Sequence, residues 1–168
     1  FIEQSRRSWI KDKRPPAEFT AGPFTIHQRS GSAVAASGLM PVANAMHSWC
    51  QRHPCQFGVL LGDNIYPDGA TLGADGKDDA ARFQHNFADP YGRFGSFSPN
   101  FRFYTTLGNH DWHTSREGAM AQVDYLTKTK PFYMDGLIYR VSPPETRGEV
   151  EIFVLDTQTL LAGRTYME

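Results

Sequence analysis

The sequence predicts an α/β domain, and three observations carry that expectation. The run Phe57-Gly58-Val59-Leu60-Leu61 is short, apolar and closed by turn residues, the pattern of a buried strand. The run Phe101-Arg102-Phe103-Tyr104-Thr105-Thr106-Leu107 is aromatic and β-branched, a second strand. Each strand stops at a glycine followed by polar side chains: Gly62-Asp63-Asn64-Ile65-Tyr66 after the first, Gly108-Asn109-His110-Asp111 after the second. In open α/β sheets ligands bind beyond the carboxyl ends of strands, so both clusters stand where such a fold places its site. The two glycines permit a tight bend and close approach of backbone to a ligand.

Taken in order, residues 1–22 are polar and locally basic, with Arg6, Arg7, Lys11, Lys13, Arg14 and then Pro15-Pro16, and read as a solvated lead-in. Phe24-Thr25-Ile26 is a short strand candidate, and His27 to Met40 has little pattern. Pro41 to His53 reads as a helix, with Val42, Met46, Trp49 and Cys50 on one apolar face, Pro41 in its first turn and Pro54 beyond its end. Residues 67–77 form a Gly/Asp-rich loop that lacks the oxygen-ligand alternation of a calcium loop: Ile65 follows Asp63, and Lys77 follows Asp75, at the positions that need oxygen.

Asp78 is expected to cap a helix running to about Ala88, with Ala80, Phe83 and Phe87 inward and Pro90 closing it; Phe94 to Asn100 then reads as loop. Thr114-Ser115-Arg116-Glu117 matches a capping box for a helix to about Thr127, weakened by Gly118. Phe132 to Met134 and Leu137 to Val141 look extended, and Pro143 to Gly148 is a turn. Val150, Ile152 and Val154 alternate with polar or outward positions, so Lys130–Val141 and Glu149–Asp156 include a hairpin.

The 168 residues suffice for one domain with a sizeable core, and 12 Phe suit a packed one. A formal net charge of -1 provides no global field for nucleic acid or an anionic membrane. No apolar run approaches the roughly 20 residues of a membrane span. The cysteines, Cys50 and Cys55, fit either a disulfide, as in an extracytoplasmic or secreted protein, or two packed thiols.

Carboxylate, amide oxygen and imidazole together suit a hard or borderline divalent or trivalent cation. Two such cations ~3.5–4 Å apart can clamp the attacking and leaving oxygens of a phosphoryl group. Asp63 can bridge them, Asn109 can be a terminal ligand, and His110 can be the donor near the leaving oxygen. Taken singly, each residue also has an ordinary structural use: Asp63 and Asn64 as turn formers, His110 as a packed histidine, Asp111 as a helix cap, and Tyr66 as a packed aromatic. No role attaches to His47, His53 or His85.

With Phe153-Val154-Leu155-Asp156-Thr157 as a third motif in the same order, the chain resembles the calcineurin-like metallophosphoesterase superfamily, and within it the tartrate-resistant purple acid phosphatase-like branch. Arg82-Phe83-Gln84 before Pro90-Tyr91, and Gln122-Val123-Asp124-Tyr125 before Pro131-Phe132-Tyr133, sit where those proteins carry similar segments, so the likeness spans roughly residues 24–161. The resemblance implies the N-terminal portion of an αββα sandwich, with residues 23–168 forming a partial metallophosphoesterase domain. It implies Asp63 as the bridging ligand, Tyr66 as the tyrosine ligand of a ferric ion, and Asn109 as a ligand of the second metal. It implies His110 as the histidine that contacts phosphate and assists the leaving group, with Asp111 supporting it. The cofactors implied are two metal ions, iron with a second iron, zinc or manganese. The implied reaction is in-line attack of metal-bound hydroxide on a small-molecule phosphate ester, with a monoester favoured by the tyrosine after Asp63.

Two departures from the family pattern set further expectations. Where the family's first strand ends in Gly-Asp-x-Gly, this chain has Phe24-Thr25-Ile26-His27-Gln28-Arg29-Ser30-Gly31, which puts Arg29, a cation that would repel a metal ion, near the position of a metal-binding Asp; His27 could substitute as a ligand. A hypothesis for the patternless stretch 27–40 is a local reading-frame shift, since codons for His-Gln-Arg read one base later can encode a segment ending in Asp; resequencing the coding DNA tests it. The family's two later Gly-His motifs do not occur before Glu168, so weak metal binding and slow turnover are expected of this chain. A phosphodiesterase or nuclease of the same superfamily, and a non-catalytic binding domain on this scaffold, are the alternatives.

Overall fold

A computed structural model describes residues 39–73 and 79–162. The lead-in at 1–22, the strand expected at Phe24–Ile26, the His27 and Arg29 positions, Asp75, Lys77 and the Asp78 cap all lie outside the described residues. The chain divides into two units, residues 1–46 and 47–168. The first described element, α1, is Leu39–Arg52. The second unit carries β1 (Gly58–Leu60), α2 (Asp79–Phe83), α3 (Asp89–Tyr91), β2 (Phe103–Thr105), α4 (Arg116–Lys128), β3 (Phe132–Tyr133), β4 (Ile138–Val141), β5 (Ile152–Leu155) and α5 (Thr157–Ala162).

The fold is mixed α/β. Strands β1, β2 and β3 form a parallel sheet in that order, with Leu60 opposite Thr105 and Phe103 opposite Phe132. Parallel neighbours need crossovers, and helical segments supply them: α2 and α3 lie between β1 and β2, and α4 lies between β2 and β3. Strands β4 and β5 form the expected antiparallel hairpin, Tyr139 opposite Val154. The central strand β2 is buried along its whole length, as a parallel strand covered on both faces must be. Its Phe103 ring meets Phe94, Phe101 and Phe132 at centroid distances of 5.2, 5.2 and 6.1 Å, the middle of an aromatic core. Gly58 is bare because a Cβ there would lie 2.3 Å from that ring.

A tyrosine hydroxyl links hairpin and sheet. The Phe103 N–H donates to Pro131 C=O on the β3 side, and Thr105, two residues on, faces the same side. Strand β3 has already ended at Tyr133. The Tyr139 hydroxyl fills the gap, accepting from Thr105 N–H at 3.0 Å and donating toward the Thr105 carbonyl at 2.8 Å. It does for the otherwise unpaired ladder groups of buried Thr105 what another strand residue would do.

Several expectations are corrected. Helix α1 begins at Leu39 rather than Pro41, and Pro41 is still tolerated because first-turn N–H groups have no helical partner. Of the apolar face Val42, Met46, Trp49 and Cys50, Cys50 packs against the core, while Val42, Met46 and Trp49 are 54%, 40% and 56% exposed. His47 and Cys50, three apart on the helix, are the half-buried pair. His47 lies on Phe94 and Phe97, at 5.3 and 4.6 Å between ring centroids, and burial with nearby Arg93 pushes its pKa down. Cys50 is bonded to Cys55. An apolar periodicity could not find a face marked by a histidine.

Pro90 does not close a helix. The run from α2 passes through a π turn at Gln84–Ala88, which re-phases it, and Pro90 enters α3 at a position that needs no N–H partner. A 3-10 turn, Gly92–Ser96, occupies part of the segment expected to be loop. Strand β1 is not fully buried: Val59 is 45% exposed, because β1 is an edge strand among the described residues.

Candidate functional site

Parallel pairing decides where the two clusters go. Leu60 and Thr105 are register partners, so the chain leaves both strands at the same end of the sheet, and Thr106 N–H still donates to Leu60 C=O at 3.0 Å. The glycines then let the two turns touch. A Cβ on Gly62 would lie 2.5 Å from Gly108 N, and one on Gly108 would lie 2.3 Å from Asp63 Oδ1. Asp63 takes φ of 50°, a left-handed conformation that Asp tolerates better than most residues.

The Asp63 carboxylate accepts the Tyr66 hydroxyl on Oδ2 at 2.8 Å and the His110 backbone N–H on Oδ1 at 3.1 Å. The Tyr66 ring lies 4.4 Å from the His110 ring. The His110 Nδ1 is 2.6 Å from Pro67 C=O. A carbonyl only accepts, so Nδ1 carries the hydrogen and Nε2 is the nitrogen open to a ligand. Asp63, Tyr66 and His110 are therefore gathered in one place.

Asp111 is fully buried and serves the backbone. Its carboxylate accepts from the N–H groups of Asn64 at 3.1 Å, Ile65 at 3.1 Å and Gly108 at 2.9 Å, and from Asn64 Nδ2 at 3.3 Å. It thereby ties the first turn to the second. Burial pushes its pKa up while these donors pull against the rise. Its position allows no contact with solvent, so what it does for the site it does through Asn64, Ile65 and Gly108.

Asn109 is exposed on the lip and lines, with Asp63, Gly62, Gly108 and His113, one end of an open groove of about 780 Å³. Thr105, Phe153, Leu155 and Leu161 line more of that groove. Tyr66, His110 and Asp111 do not line it. Of the Leu155-Asp156-Thr157 motif, Leu155 and Thr157 line the groove, while buried Asp156 acts indirectly: it accepts from Trp112 Nε1 at 2.9 Å and from Thr159 N–H at 3.0 Å, joining the second turn to the start of α5.

The capping residue of α4 is Ser115, which accepts Gly118 N–H at 3.0 Å, one position after the expected Thr114. Thr114 is used elsewhere: its hydroxyl donates to Asp68 C=O at 2.6 Å. Gly118 costs helix propensity for a reason the structure supplies, since a Cβ there would lie 2.1 Å from Ala70 C=O. These contacts lace residues 62–70 to 108–118.

Asp63 and Tyr66 are the two oxygen donors that could share one hard cation. Oxygens bound cis on an ion at about 2.0–2.2 Å stand roughly 3 Å apart, and the two here are 2.8 Å apart, joined by a phenolic proton. A cation bound there would replace that proton. A two-cation centre needs more: among the described residues no group of three or more His, Cys, Asp and Glu could hold a metal. Asn109 and the second oxygen of Asp63 do not complete a coordination shell for a second ion.

The same geometry gives a spectroscopic expectation. Burial, then the hydrogen bond and charge of Asp63, and the charge of Asp111, push the Tyr66 phenol up to about 12. In metal-free protein, ultraviolet titration should show the Tyr66 step near that value, well above the ordinary ~10. Tyr66→Phe should remove one late step and leave the others. No model of a known protein family matches this chain, and no curated protein is significantly similar to it.

Proposed function

We propose that this chain carries the site of a metallophosphoesterase-type αββα fold, of the purple acid phosphatase-like branch, and that it hydrolyses phosphate monoesters with iron and a second iron, zinc or manganese. One observation carries the reading: two turns from neighbouring parallel strands meet at the same sheet end, and His110 N–H is donated to the Asp63 carboxylate. Asp63 and Tyr66 would hold one cation, and Asn109 would contribute to a second. When bound, such cations polarise the phosphoryl group and lower the pKa of a water toward ~7.

The chain's own groups do the rest. His110, with Nδ1–H committed to Pro67, acts as an imidazolium whose Nε2 proton passes to the ester oxygen as the leaving alcohol departs, which leaves the ring neutral. Asp111 keeps the Asn64, Ile65 and Gly108 amides in place, so the two turns do not separate. A second reading, a non-catalytic domain that binds a cation or phosphate on this scaffold, is favoured by one fact: the described donor set is one carboxylate, one phenol and one amide.

Elemental analysis of the iron-loaded protein, its visible spectrum and hydrolysis of p-nitrophenyl phosphate against bis(p-nitrophenyl) phosphate form the test. The proposal expects bound iron, a tyrosinate-to-iron band lost in Tyr66→Phe, and slow monoester turnover lowered about 100-fold in Asp63→Asn. Faster diester hydrolysis would favour a phosphodiesterase or nuclease. Iron binding without turnover would favour the binding domain.

A further inference from the structure

The second turn carries another imidazole that no motif claims. Residues Asn109–Trp112 form a 3-10 turn, closed by His113 N–H donating to His110 C=O at 3.2 Å. Side chains three apart eclipse one another on such a turn. His110 and His113 therefore share a side, with ring centroids 4.5 Å apart. His113, unlike His110, lines the groove beside Asp63 and Asn109.

An acidic partner stands behind it. His113 Nδ1 lies 3.4 Å from Asp68 Oδ1, and Asp68 is itself held by Thr114, whose N–H and hydroxyl both point at its carbonyl, at 3.2 and 2.6 Å. A carboxylate accepts only, so Nδ1–H is the donor and Nε2 remains for a ligand, as in other carboxylate–imidazole pairs. The arrangement gives two imidazoles, each with its Nδ1 occupied by an oxygen of the 67–68 turn.

We propose that His113, positioned by Asp68, is a phosphate-binding residue of this site: as an imidazolium, with Nδ1–H on Asp68, it donates from Nε2–H to an anionic oxygen of a phosphate monoester while His110 serves the ester oxygen. The inference rests on the phosphate-ester reading above. Its class of ligand is the dianionic phosphate group of a monoester. Asp68 is a positioning residue: it sets the tautomer and angle of His113 and touches no phosphate.

The test is titration of inorganic phosphate into the zinc-supplemented full chain, followed by phosphorus line width and by the amide signals of Gly62, Gly108 and Asn109. His113→Asn keeps a group near Nδ1, and His113→Gln keeps one near Nε2. Phosphate affinity should fall about tenfold in His113→Asn, the loss of one hydrogen bond to a charged group, and stay within about threefold in His113→Gln. Asp68→Asn should weaken it by a smaller factor than His113→Asn. Equal affinity in wild type and His113→Asn, with the three amides still responding, would overturn this inference alone. If neither phosphate binding nor amide response occurs in wild type, the phosphate-ester reading fails with it. Melting temperatures of the variants separate lost binding from lost fold.

Discussion

Asp111→Ala should be the most destabilising single substitution at the two turns, lowering stability by about 4 kcal/mol or more. The carboxylate accepts three backbone N–H groups at 2.9–3.1 Å inside a fully buried position. Alanine leaves all three without a partner, and a buried unsatisfied donor costs roughly 1–3 kcal/mol. Against the ~5–15 kcal/mol by which domains are stable, that is a large fraction. Asp111→Asn should cost less, because one oxygen still accepts, but its amide hydrogens then face N–H donors. Denaturant midpoints for the pair decide the matter. A loss under 1 kcal/mol in Asp111→Ala would show that water or neighbouring groups take over the three donors, and that the two turns do not depend on this carboxylate.

Gly62→Ala should follow closely, by a different route. At φ of 92° an L side chain is strained, and its Cβ would press on Gly108 N at 2.5 Å. The strain is worth about 1–3 kcal/mol, and overpacking against backbone adds a similar amount. Gly73→Ala supplies the control, since Gly73 has φ of 80° but nothing within 4 Å of an added Cβ. Its loss should report strain alone. The excess of Gly62→Ala over Gly73→Ala then measures the close approach of the turns, expected at about 2 kcal/mol. The same substitution should move Asp63 relative to Asn109 and weaken cation binding in parallel with stability. Equal losses at both glycines would mean that the turns can part without penalty.

The parts of this architecture legible in the sequence share a physical property: local pattern and global packing agree. The strand at Phe103–Thr105 is aromatic and β-branched because it is buried on both faces. The alternation of Ile152 and Val154 matches a hairpin with one covered face. The glycines before each cluster announce close backbone contact, and the two turns make it with each other. Where a residue's partner is remote, the pattern misleads. Thr114 looks like a helix cap but bonds to Asp68, leaving the cap to Ser115. Pro90 looks like a stop but enters a new turn after the π turn at Gln84–Ala88.

The site divides the same way. Residue types and their spacing determined that an Asp, a Tyr, an Asn and a His would stand at two strand ends, because strands and turns are set by neighbours along the chain. Only the tertiary structure decided which of them meet. Parallel register brings Asp63 to the His110 backbone, and burial makes Asp111 a lock on three amides of both turns. Those outcomes depend on distances between segments some forty residues apart in sequence, and no local preference encodes such a distance.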